Sequence, residues 1–113
     1  MPLPHPLPQP LVELIARRFR AMSEPMRIRM LDRLREGEAT VAELTDWLGA
    51  SQQNVSKHLA VLADAGLVGR RKEGNHVYFR IVDESVLTIC EEVCGSLQQQ
   101  LAELHQILEG AGR

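Results

Sequence analysis

The sequence predicts a mainly α-helical fold carrying one small β-hairpin. Three observations predict it. Apolar residues recur at helical spacing from Leu11 to Gly66, broken by caps and turn residues. Residues 67–82 switch to alternation around Glu73-Gly74-Asn75. Residues 84–108 return to one long helical period. A chain of 113 residues fits one domain. The expected layout is a proline-rich arm over 1–10, a domain over 11–108 with a C-terminal dimerisation helix, and a tail over 109–113.

The arm reads PLPHPLPQP, and five prolines in nine positions favour an extended chain. From Leu11 the pattern turns helical, with Leu11, Leu14, Ile15 and Phe19 on one stripe. Ser23-Glu24-Pro25 breaks and restarts the chain, with Ser23 or Glu24 as cap and Pro25 in the first turn. Met26, Ile28, Met30, Leu31 and Leu34 supply the buried side of a helix ending near Glu36.

Thr40-Val41-Ala42-Glu43 matches a capping box and opens a short helix with Val41, Leu44 and Leu48 inward. Trp47, the only Trp, is expected to pack. Gly49 suits a left-handed turn, and Ser51 caps the next helix. There Val55, Leu59 and Leu62 face the core, which leaves Gln52, Gln53, Ser56, Lys57 and Ala60 outward. No acid lies between Ser51 and Ala63. Gln and Asn amides pair with adenine edges, Ser adapts to several partners, and Lys reaches guanine or phosphate. Two short helices with a tight turn and such a face imply a helix-turn-helix that reads DNA.

Leu67–Lys72 and His76–Val82 are the strands, the first rich in cations at Arg70, Arg71 and Lys72. After a helix-turn-helix, such a hairpin reads as a wing lying along phosphates or in the minor groove. The expected DNA-contacting residues are Ser51, Gln52, Gln53, Asn54, Ser56, Lys57, His58, Arg71, Lys72, Asn75 and His76. Asp83 is expected to cap the last helix, Glu84 to Leu108. Val86, Cys90, Val93, Leu97, Leu101, Leu104 and Leu108 form a near-heptad seam. One small domain does not need so long a stripe for itself, so a second copy is the expected partner.

Charge is segregated beneath a net -2. Residues 17–35 carry seven Arg against Glu24 and Asp32, whereas 81–113 carry six acids against Arg113. One basic region suits a polyanion. No apolar run reaches the ~18 residues of a membrane span, and no secretory signal opens the chain. Two cysteines without export features suggest free thiols in a cytoplasmic setting.

The segments SEPMRIRMLDRL, SQQNVSKHLAVLADAGLV and GNHVYFRIVD, in this order of elements, resemble the ArsR/SmtB family of bacterial winged helix-turn-helix repressors. The resemblance spans about residues 11–108. It implies a winged helix-turn-helix dimerising through its first and last helices. It also implies an inverted-repeat operator in double-stranded DNA, released when a ligand or oxidant arrives. Two family sensor sites fail position by position. A Cys-Val-Cys run corresponds to Thr40-Val41-Ala42, which has no thiol. In the last helix Asp83 fits its place, but Ser85, Ser96 and Gln99 stand where His, His and Glu belong. This argues against a zinc, nickel or cobalt sensor of the usual kind.

Cys90 and Cys94 remain, one helical turn apart. Two thiolates at that spacing can share a soft metal or metalloid ion, or meet an oxidant or polysulfide. Equally, cysteine packs as a small hydrophobe. A repressor whose cysteines only pack, and a thiol redox protein, are the alternatives. An enzyme is not expected, because nothing places a catalytic acid, base or oxyanion donor at the thiols and no Cys-x-x-Cys motif exists.

Overall fold

The computed structural model describes residues 2–111. It divides into two compact units, the chain up to Asp83 and the chain from Glu84. Each is taken by itself. Among the described residues no helix is long and apolar enough to cross a membrane.

The first unit holds four helices and a small sheet. Helix α1 (Gln9–Met22) starts two residues before the expected Leu11, with Pro8 at its N-cap and Pro10 in its first turn. The proline that seemed to end the arm instead opens the helix. A first-turn N–H has no intrahelical partner to lose, and proline already holds a helical φ. Leu11 and Ile15 are half-buried, while Leu14 and Phe19 of the same stripe are exposed.

Helix α2 (Pro25–Leu34) is capped by Glu24, whose carboxylate accepts from the amides of Met26 at 2.8 Å and Arg27 at 3.3 Å. It ends two residues short of the expected Glu36. Met30, Leu31 and Leu34 are buried, but Ile28 is 45% exposed and corrects the expected buried set. Ile28 lies two residues from Met30, about 200° around the helix, so the two cannot share a face.

Strand β1 (Ala39–Thr40) leads into α3 (Val41–Leu48). The capping box forms in both directions. Thr40 Oγ1 accepts from the Glu43 amide at 3.1 Å, and Glu43 Oε1 accepts from the Thr40 amide at 3.2 Å. Gly49 ends α3 at φ 66, where a side chain would be strained. Helix α4 (Gln52–Asp64) follows, its N-cap Ser51 accepting from the Asn54 amide at 3.2 Å. Leu44, Leu48, Val55, Leu59 and Leu62 close the core between α3 and α4.

Strands β2 (Val68–Glu73) and β3 (His76–Ile81) form the hairpin. The sheet has three strands rather than two, in antiparallel order β1-β3-β2. Ala39 pairs with Phe79, and both are buried. A strand of two residues has no alternation to reveal it. Gly69 is fixed by contact, since a Cβ there would lie 2.9 Å from Val82 Cγ1. Asp83, the expected cap of the last helix, has its carboxylate ion-paired with Arg18 of α1.

The second unit is α5 (Ser85–Ala111). It runs through residues 109–111, which the expected tail had included; 112 and 113 lie outside the described residues. Val93, Leu97, Leu101, Leu104 and Leu108 of the seam are exposed.

Candidate nucleic-acid interface

Burying Val55, Leu59 and Leu62 turns the opposite side of α4 outward. Ser51, Gln52, Gln53, Asn54, Ser56 and Lys57 are all exposed. The cap at Ser51 orders the first turn, where free amides and the helix dipole favour a phosphate. Six polar side chains and an anion-attracting helix end therefore share one surface.

His58 departs from the expected DNA-facing set. Its side chain is 12% exposed and turned toward α2. Nδ1 accepts from Arg27 Nη1 at 3.1 Å, and Nε2 lies 3.7 Å from Glu24 Oε2. Position 58 flanks the buried row, and the long Arg27 side chain reaches it there. Spacing along one helix could not reveal a partner 31 residues away.

On the wing, Lys72, Asn75 and His76 are exposed, and the His76 ring centroid lies 6.3 Å from that of Tyr78. Arg71 is exposed too but already engaged. Its guanidinium meets Glu38 Oε1 and Glu73 Oε2, each at 2.6 Å, and lies 4.8 Å from the Tyr78 ring centroid. The hydrogen bond from Arg71 holds the Glu38 carboxyl below its ordinary value, and the same bond pushes the Arg71 pKa up. Arg71 thus corrects the picture of a uniformly available cationic strand. Among the described residues no hydrogen bond or ion pair engages Lys57, Arg70 or Lys72.

Trp47 is 43% exposed instead of packed, with the Arg29 guanidinium 5.8 Å from its ring centroid. It lies beside Leu48 but outside the row formed by Leu44 and Leu48. Its size, the usual reason to expect burial, does not decide its face.

Cys90 is half-buried and Cys94 exposed, and neither is in a disulfide. Among the described residues no three His, Cys, Asp or Glu side chains gather as a metal-binding group. Within one chain the two cysteines could supply two sulfur ligands.

Residues 22–71, from the end of α1 to the wing, match a helix-turn-helix domain family. A transcriptional regulator of Mycobacterium tuberculosis, Rv0081, is 31% identical over 102 residues, which is 89% of this chain and 90% of that protein. Its crystal structure superposes with a TM-score of 0.75, covering 85% of this chain and 97% of that one. A solved DNA-binding domain from Mycobacterium bovis, described as a possible ArsR-family transcriptional regulator, is 31% identical and superposes with a TM-score of 0.73, covering 80% of this chain and 84% of that one. The chain belongs to the ArsR/SmtB family. The probable mercury resistance operon repressor of Streptomyces lividans is 36% identical over 86 residues, 76% of this chain. This ArsR/SmtB chain spans 64% of that repressor's length. The fold is the family's winged helix-turn-helix, with α3 and α4 as the helix pair and the β2–β3 hairpin as the wing.

Proposed function

We propose that the chain is a DNA-binding transcriptional repressor, acting as a homodimer on an inverted-repeat operator in the cytoplasm. The observation that carries this is the outward face of α4, six exposed polar residues without an acid, beside a wing with free cations at Arg70 and Lys72. Side chains suited to base edges and side chains suited to phosphates lie in one unit. The repressor names borne by relatives support the regulatory role, and none of those named describes an enzyme. Exposed apolar side chains on α1 and α5 support a second copy as partner. A solved relative from Mycobacterium bovis, 31% identical, is described as a homodimeric winged helix-turn-helix DNA-binding domain.

The release signal proposed is a soft metal or metalloid ion taken by Cys90 and Cys94. Their i, i+4 spacing separates the Cβ atoms by roughly 5–6 Å. A disulfide needs about 3.8 Å, so an intrahelical disulfide would distort α5, whereas an ion bridging two sulfurs would not. Sulfur from a second copy would complete the coordination. The other reading, cysteines that only pack, is favoured by the half-burial of Cys90 and opposed by the exposure of Cys94.

Mobility shift with duplex DNA tests the first part, and loss of the shift with added As(III) or Cd(II) tests the second. Wild type is expected to release DNA, and the Cys90→Ser, Cys94→Ser double variant to hold it. Equal release by both would reject the cysteines as the sensor. No release from wild type would leave packing as their role.

A further inference from the structure

Helix α4 is braced against the N-terminal helices by two arginines. At its C-terminal end Arg17 Nη2 donates to the Asp64 carbonyl at 3.0 Å, one of the carbonyls a helix end leaves without a partner. At mid-helix the brace is Arg27. Its Nε donates to the Ala21 carbonyl at 2.6 Å and its Nη2 to the Arg20 carbonyl at 3.3 Å, both at the end of α1. Its remaining nitrogen, Nη1, donates to His58 Nδ1 at 3.1 Å. One guanidinium therefore joins the end of α1 to the middle of α4.

The protonation pattern follows from donor chemistry. A guanidinium has no acceptor, so His58 Nδ1 must carry the lone pair and the ring proton sits on Nε2. Nε2 lies 3.7 Å from the Glu24 carboxylate oxygen that also caps α2. The fork and the ring tie the middle of α4 to the end of α1.

We propose that Arg27 and His58 are positioning residues for base reading, fixing the roll of α4 so that Gln53, Ser56 and Lys57 meet base edges in register. This rests on the DNA-binding reading above. A roll of about 20° moves a side-chain tip at the helix's outer radius of roughly 5–6 Å by about 2 Å. Hydrogen bonds to base edges tolerate only a few tenths of an ångström, whereas attraction to the phosphates is much less demanding. Loss of the joint therefore costs sequence preference and spares general affinity. The joint also starts at α1, so a change at that helix has a direct route to the reading face.

The test compares a duplex selected by wild type from a random-sequence pool with a scrambled duplex of the same composition. Arg27→Met and His58→Leu should each lower the preference for the selected duplex by about tenfold. The scrambled-duplex affinity and its salt slope should stay unchanged. The double variant should lose about tenfold, not a hundredfold, because both changes break one joint. His58→Asn, whose amide oxygen stands near the place of Nδ1, should retain preference, and His58→Gln should lose it. This polar pair serves if the leucine variant fails to fold. Unchanged preference, independent losses that multiply, or equal loss on both duplexes would overturn the joint. A wild type that selects no duplex would overturn the DNA-binding reading itself.

Discussion

Two carboxylates hold the guanidinium of Arg71, so its charge is partly spent inside the protein. Lys72, the next residue, is exposed with no such partner among the described residues. Each phosphate neutralised by a free cation contributes about 0.9 to the salt slope of duplex binding. Lys72→Ala should therefore flatten the slope by about that amount, and Arg71→Ala by less. Glu38→Gln should steepen it by releasing Arg71 from one of its two carboxylates. Fluorescence anisotropy across a salt series reads all three. The sign with pH follows from the Arg71 bond, which lowers the Glu38 pKa. The pair is intact above the ordinary carboxylate range and is lost only as pH falls through the lowered value. The Glu38→Gln difference should accordingly hold from mildly acidic to neutral solution and vanish in acid. On the exposed face of α4, Gln53→Ala or Ser56→Ala should relax sequence preference by about 1–3 kcal/mol if they meet base edges as proposed; equal weakening on every duplex would remove them from base contact. Sequence could name the cations but not their partners. Glu38 is 33 residues from Arg71, and Arg27 is 31 from His58.

Local chemistry made most of the elements legible. The capping box at Thr40, the turn at Gly49 and the cap at Ser51 occupy their expected places because each depends on neighbours within a few residues. Thr40→Ala should cost about 1 kcal/mol in urea denaturation by removing one reciprocal cap. An unchanged midpoint would mean that the pairing of β1 with β3 holds this corner by itself. Where local chemistry was ambiguous, the expectations slipped. Pro10 reads as a breaker or as a first-turn residue, and only the course of the chain chose the second. Ala39–Thr40 is too short to show a period, so the third strand was invisible before β3 paired with it.

In the molecule as a whole, α5 carries a run of exposed apolar residues, Val93, Leu97, Leu101, Leu104 and Leu108. Charge is segregated too, with basic residues gathered over 17–35, which suits a polyanion, and acidic ones over 81–113. Leu101→Glu places a charge on the seam and should shift the chain toward monomer in analytical ultracentrifugation. A monomer should bind duplex more weakly, because it presents one α4 where a dimer presents two. An unchanged sedimentation coefficient would show that this seam does not join copies. The central claim is that α4 and the wing read duplex DNA, and the salt dependence of binding to selected and scrambled duplexes tests it most directly. The logarithm of affinity is expected to fall linearly with the logarithm of salt for both, with the selected duplex bound more tightly throughout. Binding that ignores salt, or no binding to either duplex, would contradict it.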